Sequence, residues 1–85
     1  MQLELEFFGP LQDQIGHRST RINTDQPPDT LDSLIDLITE TQHGRDALRA
    51  PHVRLAVNDR MVARNAPLIL TNGDRIAFMS PFSGG

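Results

Sequence analysis

The sequence predicts an α+β domain of the β-grasp class, with a mixed sheet of about five strands packed on one main helix. The chain has 85 residues, enough for one small domain. Its predicted elements run strand, strand, helix, strand, short strand, strand, so one helix must cover one face of one sheet. Right-handed crossovers then favour the first and last strands as central neighbours, with hairpins at the edges. A ferredoxin-like fold would need a second full-length helix, for which residues 64–74 are too short.

The N-terminal third of the chain predicts two strands joined by one helical turn. Residues 2–8 alternate polar and apolar side chains, which indicates a half-buried strand. Pro10 is suited to the start of a short helical turn at residues 11–15, and Gly16 to its exit. Residues 17–23 form a second, weaker strand that returns beside the first.

The main helix is predicted at about residues 30–42. Thr30 is a good N-cap, because its hydroxyl can accept a hydrogen bond from an unpaired backbone N–H of the first turn. Gly44 is expected to end or kink the helix, and residues 45–50 to form another turn. The apolar residues recur at the helical spacing i, i+3, i+4, i+7 and comprise Leu31, Leu34, Ile35 and Ile38.

The C-terminal part predicts three short strands. Residues 52–58 form one strand, a tight turn at Asn58-Asp59 follows, and residues 61–63 return beside it. A short connector leads to the last strand at residues 75–79. The side chains expected to face the core are Val53, Leu55, Val57, Ile76 and Phe78.

The composition excludes several functions. The chain is 38% hydrophobic and 22% charged with a formal net charge of −3, as in ordinary globular domains. It has no cysteine and no lysine, which excludes disulfides, thiolate nucleophiles, cysteine zinc sites and Schiff-base catalysis. The acidic balance and the absence of Trp and Tyr argue against nucleic-acid binding. The three histidines show no ligand spacing, so we expect no metal site. We also expect no bound cofactor.

The N-terminal segment and the hydropathy pattern predict a cytoplasmic protein. No apolar stretch approaches the roughly 18 residues of a membrane-spanning helix. The alternating first residues also differ from the basic start and continuous apolar stretch of a signal peptide. We therefore expect no membrane contact.

The C-terminal end of the chain has the most specific pattern in the sequence. A Gly-Asp turn precedes a strand with a phenylalanine, and a proline-bearing stretch leads to a final Gly-Gly. Together with the pairs Phe7-Phe8 and Pro67-Leu68, this C-terminal pattern resembles that of the ubiquitin-like sulfur carriers of the MoaD/ThiS family. The resemblance extends over nearly the whole chain. The resemblance is greatest to the small subunits of molybdopterin synthase. The segment that carries it comprises Asn72, Gly73, Asp74, Arg75, Ile76, Ala77, Phe78, Met79, Ser80, Pro81, Phe82, Ser83, Gly84 and Gly85.

The resemblance implies that the backbone carboxyl group of Gly85 is the reactive group. In such carriers ATP converts the terminal carboxylate into an acyl-adenylate, and sulfur then replaces AMP to give a thiocarboxylate. Residues 1–80 would be the β-grasp domain and residues 81–85 a flexible tail ending in Gly-Gly. Glycine suits a threaded tail, because Gly84 and Gly85 have no Cβ to block a narrow channel. Because the chain has no cysteine, its terminus is also where sulfur would be carried covalently.

The resemblance also implies partners and a docking surface. The partners would be the molybdopterin synthase large subunit, a ubiquitin-activating-type adenylyltransferase that consumes ATP, and a sulfur donor protein. The chain would be no enzyme alone, but the sulfur-donating subunit of a transferase complex of two large and two small chains. If the terminal strands are neighbours, alternation places Phe8 and Met79, together with Met61, on the sheet face opposite the helix.

The tail residues before Gly-Gly are the other predicted partner contacts. Pro81 would stiffen the base of the tail, which lowers the entropy lost on insertion. Phe82 could anchor the tail in a partner pocket or fold back on its own domain, and Ser83 completes the segment that a partner would contact.

Two alternative functions remain open from the sequence. A sulfur carrier of the same kind could serve thiamine synthesis, cysteine synthesis or tRNA thiolation, or could modify proteins through isopeptide bonds. A β-grasp binding module with an inert tail is the alternative from another class.

Overall fold

Five strands form one mixed sheet in the computed structural model, which describes residues 1–80. The order across the sheet is β2-β1-β5-β3-β4, with β1 and β5 parallel and every other pair antiparallel. The predicted β-grasp class is confirmed, with the first and last strands as central neighbours. The strands are β1 (Gln2–Phe7), β2 (Ser19–Asn23), β3 (Arg54–Val57), β4 (Arg60–Val62) and β5 (Arg75–Met79).

The hydrophobic core lies between one sheet face and the helices, which are α1 (Leu11–Ile15), α2 (Leu31–Ile38) and α3 (Gln42–Arg49). The rings of Phe7 and Phe78 stack in neighbouring central strands, with centroids 5.8 Å apart. Val57, predicted to face inward, is partly buried against the core. The fully buried side chains comprise Leu3, Leu5, Phe7, Leu11, Leu34, Ile35, Leu48, Val53, Leu55, Ile76 and Phe78.

The predicted helix over residues 30–42 is wrong at its C-terminal end. Thr30 caps α2 as expected, its hydroxyl accepting from the Ser33 backbone N–H at 3.1 Å. The helix then stops, because Thr39 is extended and its buried hydroxyl donates to the Ile35 carbonyl at 2.6 Å. The Ile35 carbonyl also accepts from the Thr39 backbone N–H at 3.1 Å, so the hydroxyl adds a second hydrogen bond at the last turn of the helix.

A second helix, α3, follows where the sequence predicted only a turn. Thr41 is its N-cap, accepting from the Gly44 backbone N–H at 3.0 Å. Gly44 therefore neither ends nor kinks a helix, and instead lies in the first turn of α3. It is buried, and a Cβ built on it would lie 3.2 Å from the Thr41 hydroxyl. A close approach at the helix N-terminus, not a helix stop, explains this glycine.

Arg64 binds the C-terminal end of α3 and the entry to β3. Its guanidinium donates to the carbonyls of Val53 at 2.8 Å, Arg49 at 3.2 Å and Leu48 at 3.3 Å. Helix carbonyls in the last turn have no partner within the helix, and cationic donors satisfy them. One arginine thus joins the helical layer to the sheet.

We expect Arg64→Met to lower the free energy of unfolding by about 2 kcal/mol, because methionine keeps an apolar stem but leaves the carbonyls without their donor. Chemical denaturation measures this effect. Arg60→Met is the matched control, since Arg60 is exposed and should change stability by no more than about 0.5 kcal/mol. Equal losses in the two variants would contradict the bridging role of Arg64.

Candidate docking face and tail attachment

The last strand fixes the place where the predicted tail begins. β5 lies at the centre of the sheet, between β1 and β3, and ends at Met79. Beyond the end of β1, the Phe8 backbone N–H donates to the Phe78 carbonyl at 3.0 Å, and Arg54 of β3 lies opposite Met79. The attachment point is therefore held by strands on both sides. The predicted site residues Pro81, Phe82, Ser83, Gly84 and Gly85 lie outside the described residues.

A polar cluster joins the turn before β5 to the β3–β4 hairpin. The Asp74 carboxylate is only 8% exposed and accepts from the Thr71 backbone N–H at 2.8 Å. It also accepts from the Thr71 hydroxyl and from the Asn58 amide, both at 2.9 Å. The other side of the Asn58 amide accepts from the Arg75 backbone N–H at 3.0 Å. This cluster fixes the start of the strand that leads to the tail.

The pKa of Asp74 reflects two opposing effects. Burial raises the pKa of the carboxyl, but hydrogen bonds from the Thr71 backbone, the Asn58 amide and the Thr71 hydroxyl lower it. The hydrogen bonds prevail, so the pKa of Asp74 lies below its usual value. Asp74 is therefore held as a carboxylate, and its role in the described structure is to accept these bonds.

The sheet face turned away from the helices, which we call the open face, brings together three predicted docking residues. Phe8, Met61 and Met79 line one depression of about 220 Å³ with Ala56 and Ala77. Phe8 is 44% exposed and Met61 is 61% exposed. Strand alternation predicted that the three side chains share this face, and in the structure they line the same depression. Their role as partner contacts stays a prediction.

Charged side chains surround the apolar depression. The Arg75 guanidinium lies 2.8 Å from the Asp59 carboxylate and 3.6 Å from that of Glu6. On the β2 side, Arg21 lies 3.2 Å from Glu4. Exposed ion pairs of this kind contribute little to stability, typically about 0.2–1 kcal/mol. An apolar centre with a charged rim is instead the usual anatomy of a protein-binding surface.

A wider groove continues the open face toward β2. It has a volume of about 590 Å³ and is lined by Phe8, Arg18, Arg21 and parts of β1. Sequence reasoning missed Arg18 and also Arg54, which shares the open face with Ala56. The signal was available for Arg54, because it precedes the inward-facing Leu55 in a strand.

Residues 1–80 contain neither a metal-binding cluster nor a membrane-spanning helix. No group of three or more His, Asp or Glu side chains among them is arranged to hold a metal ion. None of the helices they form has the length and apolarity needed to cross a membrane.

Comparison with known families and structures gives a match over nearly the whole chain. The model described as the ThiS family matches residues 5–85. A search of curated proteins gives no significant match. Among solved structures, a protein–protein complex of subunits 1 and 2 of the molybdopterin-converting factor from Helicobacter pylori contains a similar chain. That chain is 27% identical, with 100% of both chains covered and a TM-score of 0.61.

Two archaeal structures are also similar. The Haloferax volcanii protein HVO 2177 is 26% identical, over 100% of this chain and 87% of that one, with a TM-score of 0.66. Small archaeal modifier protein 1 from the same organism is 22% identical, over 100% of both chains, with a TM-score of 0.66. At that identity the latter supports the fold alone.

Proposed function

Because the chain belongs to the ThiS family of ubiquitin-like sulfur carriers, we propose that it is the sulfur-carrier small subunit of a cytoplasmic molybdopterin synthase. In this role it delivers sulfur, as a thiocarboxylate on Gly85, to a pterin precursor in molybdenum cofactor biosynthesis. The pterin site and the acid–base groups belong to the large subunit. The chain is the sulfur-donating part of a transferase complex and needs no catalytic side chain.

The proposed chemistry takes place at the backbone terminus. The Gly85 carboxylate attacks the α-phosphorus of ATP on an adenylyltransferase and releases pyrophosphate. Hydrosulfide, released by a donor protein, then displaces AMP from the acyl-adenylate and leaves the thiocarboxylate. Residues 81–85 act as the tail that reaches both partner sites, and Gly84 keeps its width to that of the backbone.

The observation that carries the pathway assignment is the likeness to the Helicobacter pylori chain. Its 27% identity extends over the full length of both chains, and that protein is in complex with the second subunit of its factor. By analogy, a large subunit is the partner of this chain.

The open face supports the proposed docking. A carrier must bind an activating enzyme and then an acceptor, and Phe8, Met61 and Met79 lie together on the face beside the tail attachment. Pro81, Phe82 and Ser83 would extend this contact into the partner. Docking through one face next to the tail would bring the terminus to the partner's active site with little further searching.

The experiment that tests the carrier function is intact-mass spectrometry. The chain is incubated with the cognate adenylyltransferase, ATP and a sulfide donor, and we expect its mass to rise by the difference between sulfur and oxygen. Omitting ATP is the control and should leave the mass unchanged. An unchanged mass in the complete reaction would favour the binding module with an inert tail.

A protein modifier is the alternative that the sequence left open, and the fold shared with the archaeal modifier protein is compatible with it. A modifier would form isopeptide bonds with lysines of other proteins. Denaturing electrophoresis of cell extracts distinguishes the two roles: conjugates indicate a modifier, whereas capture of a molybdopterin synthase large subunit indicates the carrier proposed here. Loading with sulfur but failure to bind a large subunit would point to another thiolation pathway.

A further inference from the structure

Two arginines on either side of the tail attachment stand out from the other charged residues of the sheet. Arg75 and Arg21 are each paired with carboxylates of the chain itself. Arg18 and Arg54 are exposed, and among residues 1–80 no carboxylate lies within ion-pair distance of either. Both guanidinium groups are therefore available to a partner in the described part of the chain.

The topology places these two arginines at the same end of the sheet as the tail. The Arg18 carbonyl accepts from the Phe7 backbone N–H at 2.8 Å, at the C-terminal end of β1. Arg54 lies opposite Met79, at the C-terminal end of β5. Across the order β2-β1-β5-β3, the two backbones are three strand spacings apart, or about 14 Å. The tail begins between them.

The apolar surface lies between the same two residues. Arg18 lines the groove that also contains Phe8. On the other side, Arg54 lies opposite Met79 on the neighbouring strand, and Met79 lines the depression together with Phe8. Phe8 and Met79 thus lie between the backbone positions of two unpaired arginines, whose long side chains are within reach of a partner that covers this end of the sheet.

We propose that Arg18 and Arg54 are partner-recognition residues, and that the partner presents carboxylates on both sides of the opening that receives the tail. An unpaired arginine favours a planar carboxylate because its fork of N–H donors can bind both oxygens. The chain has a formal net charge of −3, so at long range an acidic partner is repelled by the chain as a whole. The two arginines then provide local attraction in one orientation, which aligns the tail with its channel.

This inference rests on the proposed carrier function, because it assumes a partner that receives the tail. The test compares the wild-type chain with Arg18→Glu/Arg54→Glu for binding to the cognate molybdopterin synthase large subunit. We expect the double variant to raise the dissociation constant by at least about tenfold, mainly through slower association. Raising the salt concentration should reduce this difference, because salt screens exposed charges.

Arg60→Glu is the matched control. Arg60 is also exposed and has no ion pair among residues 1–80, but it begins β4 opposite Val57, toward the far end of the sheet from the tail. We expect it to change the dissociation constant by less than about threefold. Denaturation midpoints of all variants exclude misfolding as the cause.

The outcomes separate this inference from the proposed function. If the wild-type chain binds and the double variant binds equally well, the recognition role of the two arginines is wrong, although the carrier function stands. If the wild-type chain does not bind the large subunit, the molybdopterin assignment fails. The same variants are then compared for sulfur loading by the adenylyltransferase, where an unchanged rate in the double variant likewise overturns the inference.

Discussion

Removal of Gly85 is expected to lower the rate of sulfur loading by at least about 100-fold, the largest functional effect that we predict. The shortened chain still ends in a carboxylate, now on Gly84, but that group lies one residue, about 3.5 Å, short of the position where ATP is attacked. Misplacement of a reacting group by about 1 Å can already cost about 100-fold. The rate of pyrophosphate release with the adenylyltransferase measures the first step, and intact mass measures the second.

A chain with one extra glycine after Gly85 is the complementary variant. It also ends in a glycine carboxylate, but that carboxylate lies one residue beyond the position where ATP is attacked. We expect the same loss from it. The denaturation midpoints of both variants should equal that of the wild type. Full sulfur transfer by the shortened chain would contradict the role of Gly85 as the reactive terminus, since the position of the terminal carboxyl group would then not matter.

Asp74→Ala is expected to have the largest effect on stability among polar substitutions, a loss of about 3 kcal/mol. The change removes the acceptor of three partly buried hydrogen bonds from Thr71 and Asn58, each of which contributes about 1 kcal/mol. Chemical denaturation measures the loss. Asp25→Ala is the control, because Asp25 is exposed and should be neutral within about 0.5 kcal/mol.

The same carboxylate predicts the pH dependence of stability. The pKa of Asp74 is lower in the folded chain than in the unfolded chain, whose value is about 3.9. Its stabilisation is therefore complete above about pH 5 and is lost as the pH falls through 4 and below the folded value. In Asp74→Asn, which cannot titrate, the decrease in stability between pH 5 and pH 3 should be smaller than in the wild type. Identical slopes would show that Asp74 does not contribute to acid unfolding.

The strands and the open face could be predicted from the sequence because both follow from an alternation of period two. Leu3, Leu5 and Phe7 are buried on one face, and the same periodicity places Met79 on the other. The prediction that Phe8 and Met61 share a face with Met79 needed one further assumption, namely that the first and last strands are central neighbours. The rules of strand connection favour that arrangement.

Features that depend on side-chain hydrogen bonds were not predictable in this way. At the end of α2, Thr39 becomes extended and its hydroxyl bonds back to the Ile35 carbonyl, whereas the apolar pattern alone favoured a longer helix. The contact of Asn58 with Asp74 joins two turns that are distant in the sequence and meet only in the folded sheet. The lack of an ion pair at Arg18 and Arg54 among residues 1–80 likewise could not be predicted, because it depends on which arginines lie near carboxylates in the folded chain.

The central position of the last strand has a consequence for synthesis of the protein. β5 forms the middle of the sheet and carries Ile76 and Phe78 of the core, so the domain cannot close until nearly the whole chain has left the ribosome. Pairing strands from opposite ends of a chain is also slow, because a long loop must close before any contact is gained. A polypeptide interrupted before β5 would therefore lack a complete sheet as well as Gly85. Under the proposed function, an activating enzyme that recognises the folded domain would not bind such a product.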